Sequence, residues 1–168
     1  DDWSAYMYER VMAANVPAVI DADALNLLAK SATVRDNWIL TPHPGEASRL
    51  LATSSAEVQA DRLGSLEQLV ERYGGCALLK GHGTLVAVRD SMPWLIRGGN
   101  PGMATAGMGD VLTGITAAVY AQCLAEGAQL DEVAAAAAWL HAEAGDRAAR
   151  AGERGLIAGD LFMELRAC

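Results

Sequence analysis

Between Gly98 and Asp110 the chain reads Gly-Gly-Asn-Pro-Gly-Met-Ala-Thr-Ala-Gly-Met-Gly-Asp, five glycines within thirteen residues, directly ahead of an apolar stretch. Glycine lets the backbone approach a ligand closely and turn its N–H groups inward. A helix starting near Gly109 adds unpaired N–H groups and the positive end of its dipole. Gly107, Met108 and Gly109 are therefore expected to form a loop for phosphate, or for charge developing on a transferring phosphoryl group. No Gly-Lys-Ser/Thr follows, so this is not a Walker A loop. Asp110 next to phosphates would be a like charge, costly without a task. A carboxylate there accepts a hydroxyl proton as that oxygen attacks phosphorus; equally, it caps the helix. Phosphoryl transfer asks little of a base's strength, since positioning and electrostatics supply most of the rate.

Three further stretches carry reactive or ligand-binding types. Lys80-Gly81-His82-Gly83-Thr84 follows an apolar run in the ligand-facing direction of an open α/β sheet, and its cation, hydroxyl and glycines suit a nucleotide's phosphates or ribose. An ordinary tight turn fits the same residues. In Thr41-Pro42-His43-Pro44-Gly45-Glu46, two prolines hold His43 stiffly and Gly45 permits a turn. His43 at a strand's C-terminal end is either structural or cleft-lining. Glu46 suits a hydrated Mg²⁺, or simply a helix's first turn. Asp21 and Asp23 flank another strand end, Asp23 as a helix cap and Asp21 toward the cleft. His141, within an Ala-rich stretch, reads as packing or surface.

Positioning these groups requires alternating strands and helices. Short apolar runs at Pro17–Ile20, Trp38–Leu40 and Cys76–Leu79 read as buried parallel strands, with Leu85–Val88 and Trp94–Ile96 as a strand pair. Helices are expected over residues 4–14, from Ala24, through Leu50-Leu51, from a capping box at Ser54 and Glu57 to Gly74-Gly75, from Val111 toward Glu126, over residues 131–150, and at the end. The class is α/β with a largely parallel sheet, as one domain without repeats.

Composition narrows the partners. There are 13 Lys+Arg against 21 Asp+Glu, a formal net charge of −8. With no basic run, nucleic acid and anionic membranes are poor partners. The most apolar run, Val133–Leu140, is far shorter than the ~20 residues of a membrane span. Cys76, Cys123 and Cys168 match no zinc spacing and read as free thiols of a reducing compartment. A cytoplasmic location is expected.

The motifs Asp21-Ala-Asp-Ala-Leu-Asn26, Thr41–Glu46, Lys80-Gly81-x-Gly83-Thr84 and Asn100-Pro-Gly-Met-Ala-Thr-x-Gly107-Met108-Gly109-Asp110-Val-Leu112 occur here in one order and spacing. That pattern resembles the NAD(P)H-hydrate dehydratases, the YjeF C-terminal-domain family, along the whole chain. Ala106 departs from the glycine common there. The resemblance implies a ribokinase-like three-layer sandwich. It implies dehydration of the S-epimer of hydrated NADH or NADPH, by phosphorylation of the ring hydroxyl and elimination of phosphate. ADP or ATP is the implied co-substrate, with Mg²⁺. By the same resemblance Asp110 is the base on the substrate hydroxyl and His43 contacts the hydrated dinucleotide. Lys80, Gly81, His82, Gly83, Thr84 and Gly109 hold the nucleotide, and Glu46 supports Mg²⁺. The sequence starts about where a Gly-Pro-Gly stretch of the family ends. Residues 1–168 are therefore expected to be the C-terminal portion of one domain, lacking N-terminal strands. An N-terminal epimerase domain and a homotetramer are further implications. The competing readings are a small-molecule alcohol kinase of the same fold and a non-catalytic nucleotide-binding fragment.

Overall fold

The computed structural model describes residues 2–31 and 33–168. Five strands lie side by side in chain order: β1 (Ala18–Ile20), β2 (Trp38–Leu40), β3 (Cys76–Leu79), β4 (Thr84–Val88) and β5 (Trp94–Ile96). β1, β2 and β3 pair in parallel; β4 is antiparallel to both β3 and β5, so it alone runs against the rest. The strand pair read from the sequence is the β4–β5 hairpin at one sheet edge.

Side-chain alternation divides the sheet into two buried faces. Trp38, Leu40, Ala77, Leu79, Leu85 and Ala87 join one core cluster, and Ile39, Cys76, Leu78 and Val86 join the other. The first face is covered by α2 (Ala22–Ser31), α3 (Pro44–Leu51), α4 (Ser55–Ala60) and α5 (Arg62–Tyr73), with α1 (Asp2–Ala14) at the margin. The second is covered by α6 (Met108–Cys123) and α7 (Leu130–Ala148). The result is the expected three-layer sandwich. In α7, Ala134, Ala135, Ala137 and Ala138 are buried, because small side chains let the helix lie close to its neighbours. The short α8 (Leu161–Leu165) packs against α7.

Several boundaries differ from expectation for local reasons. The helix expected from Ser54 to Tyr73 is two helices. Asp61 separates them and accepts a hydrogen bond from Gly64 N at 2.9 Å. α6 begins at Met108 rather than Val111, so Asp110 lies inside its first turn. Asp23 lies within the first turn of α2 instead of capping it. Gly45 is helical rather than a turn residue; a Cβ there would stand 2.8 Å from His43 Cε1. A longer apolar stretch than Val133–Leu140 is also present. Met108–Glu126 is helical over 19 residues with mean hydropathy 1.2, long and apolar enough to cross a membrane by length and composition. In this fold α6 packs on β1 and α7, with Leu112, Thr116 and Tyr120 buried. The three cysteines are free thiols.

Candidate functional site

The β3–β4 turn, the Gly98–Ala104 segment, the start of α6 and the middle of α7 enclose a cavity of about 550 Å³. Arg62 holds the turn open by donating to the carbonyls of Leu79 (3.2 Å) and Gly83 (2.9 Å). Gly81 sits at φ +153°, a conformation that L side chains rarely adopt, with the Arg62 guanidinium close against it. The glycine-rich wall is pinned from α7. Asp146 accepts from Gly99 N (2.9 Å) and from Asn100 Nδ2 (3.0 Å), and Asn100 also donates to the Gly145 carbonyl. Gly145 leaves room for Met103, whose side chain fills the space a Cβ would take. Gly107, at φ +86°, is the N-cap of α6.

Beside the cavity sits a charged cluster. Lys80 Nζ lies 2.8 Å from Asp21 Oδ1 and 3.7 Å from Glu46 Oε2. Thr113 donates to Asp21 Oδ2 at 2.7 Å. Burial pushes the Asp21 pKa up, but the hydrogen bonds from Lys80 and Thr113 and the Lys80 charge outweigh it, and the net shift is downward. A Cβ on Gly109 would lie 3.4 Å from Lys80 Nζ, so α6 starts against this cluster. Asp21, read as cleft-facing, thus anchors Lys80 rather than standing free.

Of the residues singled out in the sequence, Lys80, Gly81, His82, Thr84, Met108 and Gly109 line the cavity together. Gly83 and Gly107 belong to the same loops without lining it. Asp110 does not line it: it is exposed in the first turn of α6, and its side chain makes no hydrogen bond or ion pair among the described residues. His43 is also outside the cavity. It caps α3, its Nδ1 accepting from Gly45 N (2.9 Å) and Glu46 N (3.4 Å). Glu46 returns the cap by accepting from His43 N at 2.9 Å. Its buried carboxylate therefore already serves a backbone donor and faces a lysine, which does not fit a directly held Mg²⁺. Among the described residues no group of three or more His, Cys, Asp or Glu is placed to hold a metal.

Sequence reasoning missed Arg62, Asp146 and His141. The first two act through backbone carbonyls and amides distant in sequence, which leave no local pattern. His141 was read as packing or surface, yet it lines the cavity. Its Nε2 is buried with no hydrogen-bond partner among the described residues. Burial lowers its pKa to about 4, against a hydrogen bond to the Met108 backbone that acts the other way. The available signal was its place in an alanine-rich helix, where small neighbours make room for a ligand.

Comparison with known proteins places the chain. A family model described as NAD(P)H-hydrate dehydratase matches residues 1–166. The "Bifunctional NAD(P)H-hydrate repair enzyme Nnr" of Coxiella burnetii is 49% identical over 166 residues, covering 98% of this chain and 33% of that protein. The "ADP-dependent (S)-NAD(P)H-hydrate dehydratase" of Neisseria meningitidis serogroup B is 45% identical over 158 residues, covering 89% of this chain and 52% of that protein. The ADP/ATP-dependent NAD(P)H-hydrate dehydratase of Bacillus subtilis, co-crystallized with ATP/Mg²⁺ and soaked with CoA, superposes with a TM-score of 0.72 at 27% identity, over 90% of this chain and 54% of that one. The chain thus spans about a third to a half of the length of these relatives.

Proposed function

The chain belongs to the NAD(P)H-hydrate dehydratase family and has its ribokinase-like fold, and on that premise we propose that it serves nucleotide-dependent repair of hydrated NADH and NADPH. The substrate is the S-epimer of the hydrate. Asp110 takes the proton of the ring hydroxyl as its oxygen attacks the terminal phosphorus of ADP or ATP, and the bond to the bridging oxygen breaks to release AMP or ADP. The phosphorylated hydroxyl is then expelled as phosphate by the ring nitrogen's electron pair, and loss of a proton from the neighbouring carbon restores the reduced dinucleotide. Phosphorylation is needed because hydroxide leaves poorly.

What carries this reading is the convergence of the Lys80–Thr84 turn, the Gly98–Asn100 wall and Gly109 on one cavity of about 550 Å³, a size suited to a small-molecule ligand. The turn and the α6 amides take the nucleotide, as backbone donors and a helix start suit phosphate. Any Mg²⁺ would be held by the nucleotide's own phosphates, because Glu46 is engaged by His43 N and Lys80. His43 contacts the dinucleotide from its exposed position, its ring fixed by the α3 cap. We extend the proposal to residues 1–168 being the C-terminal portion of one domain of a cytoplasmic homo-oligomer, with an epimerase domain as the second activity of the bifunctional type.

The test is absorbance at the reduced-nicotinamide band. Purified hydrate is given with ADP or ATP and Mg²⁺ to the full-length protein that contains this chain. Recovery of the band with release of phosphate is expected. Accumulation of a stable phosphoester from a test alcohol, with no band recovered, would instead make it a kinase. Nucleotide binding without either product would make it a binding module.

A further inference from the structure

Two threonines of α6 use their hydroxyls differently. Thr116 donates back to the Leu112 carbonyl one turn earlier, at 2.8 Å, the usual recourse of a helical threonine. Thr113 donates out of the helix, to Asp21 Oδ2 at 2.7 Å. The other oxygen of that carboxylate, Oδ1, lies 2.8 Å from Lys80 Nζ. Asp21 directly follows β1 and Lys80 directly follows β3, with β2 between them in the sheet. The bridge Thr113–Asp21–Lys80 thus runs from α6, across the strand ends, to the β3–β4 turn.

Asp21 abuts one turn of α6 at both of its ends. Gly109 and Thr113 are four residues apart, and a Cβ on Gly109 would stand 3.8 Å from Asp21 Oδ2 and 3.4 Å from Lys80 Nζ. Asp110 lies on that turn, three residues before Thr113 and so its neighbour on the helix surface. The Asp21 and Lys80 side chains are only 10% and 18% exposed, which shields their ion pair from salt. Ala22, next to Asp21, has φ +50°, a left-handed conformation that alanine keeps only where its surroundings demand it. Leu112 and Tyr120 already pack α6 into the core. The polar bridge adds little to that docking and instead sets where the first turn of α6 comes to rest. Neither Asp21 nor Thr113 lines the cavity.

We propose that Thr113 and Asp21 are positioning residues for phosphoryl transfer: their bridge to Lys80 holds Asp110 at the distance and angle from the nucleotide-holding turn that bring the activated hydroxyl onto the terminal phosphorus. They act through Asp110 and Lys80 and touch neither ligand. Misplacing a reacting group by about 1 Å can slow a reaction on the order of a hundredfold, so a bond of this kind governs rate. This inference rests on the reading of Asp110 as the base and of Lys80–Thr84 as the nucleotide turn.

Steady-state repair of the hydrate by the full-length protein, with the nucleotide varied, tests it. Thr113→Val keeps the shape and removes the donor, and Thr113→Ser keeps the donor. In Thr113→Val kcat should fall about tenfold while KM for the nucleotide stays within about twofold. Thr113→Ser should stay within about threefold of the wild type in both. Asp21→Asn breaks the bridge from its other end; its kcat should fall at least as far, and it carries the test if Thr113→Val does not fold. The sharpest arm adds Thr113→Val to Asp110→Asn. With the base gone its placement no longer matters, so the second substitution should lower the residual rate by less than about twofold. Unchanged kcat in folded Thr113→Val or Asp21→Asn, a nucleotide KM that rises as much as kcat falls, or the whole tenfold loss persisting beside Asp110→Asn would overturn the proposal. Wild-type protein that repairs no hydrate would strike the functional reading and this inference with it, whereas normal repair with an indifferent Thr113 strikes this inference alone.

Discussion

The two carboxylates near the start of α6 differ in almost every physical respect. Asp21 is largely buried, bound by Lys80 at 2.8 Å and Thr113 at 2.7 Å. Asp110 is exposed, with no side-chain partner among the described residues. The same contrast runs through the regions they occupy. On the cavity side, Arg62, Asn100 and Asp146 fix the loops by hydrogen bonds to backbone. Asp110 and His43, the groups proposed for the dinucleotide, are exposed and lie outside the cavity. A carboxylate spent on holding a cation is not available as a base, whereas an unpartnered one at a helix start is. The comparison gives Asp21 a scaffolding role, and the chemistry proposed for Asp110 rests on its being free of such a tie.

Four perturbations sharpen or break this division. The largest effect is expected for Lys80→Met, which leaves Asp21 buried beside Thr113 without its cation. Unfolding by denaturant should show a loss of about 3 kcal/mol, and adding Asp21→Asn should recover part of it. If the single variant is as stable as the wild type, the cluster is not scaffolding. Next comes Asp110→Asn, expected to slow hydrate repair by about a hundredfold, or roughly 2.7 kcal/mol of barrier, with stability unchanged. Equal rates would remove Asp110 from its role. Gly107→Ala puts a methyl at φ +86° and 3.1 Å from Ala158 Cβ, and should cost somewhat more than 1 kcal/mol.

The smallest effect is a pH dependence. The folded pKa of Asp21 lies below its unfolded value, so its contribution to stability is complete above about pH 4 and is lost as pH falls through the folded pKa. The stability gap between wild type and Asp21→Asn should be constant from pH 7 to about pH 5 and narrow below pH 4. Trp38 is fully buried and gives a fluorescence signal for unfolding. A gap that widens in acid would reverse the assignment.

Much of the fold was legible because short apolar runs such as Trp38–Leu40 and the box at Ser54 and Glu57 are local signals. The glycine-rich segment and the Lys80 turn were legible for the same reason: their composition answers a backbone requirement within a few residues. The split at Asp61 was missed because a capping side chain three residues before a glycine competes with helix periodicity that continues on either side. His43 and Glu46 were readable as a pair but ambiguous in role, since the spacing that suits a cleft also makes a reciprocal helix cap. His141 was missed because the cavity wall it joins forms only when α7 packs against α6, and its alanine-rich setting is by itself an equally good sign of close helix packing.

The central claim, that the nucleotide occupies the cavity between the β3–β4 turn and α7, is tested most directly by titrating ADP into isotope-labelled protein and following backbone amide shifts. Saturable shifts at Gly81, Thr84, Gly99 and Gly109, with small changes at Gly45 and Glu46, are predicted. Shifts confined to the His43–Glu46 cap, with the turn and the glycine-rich wall silent, would contradict it.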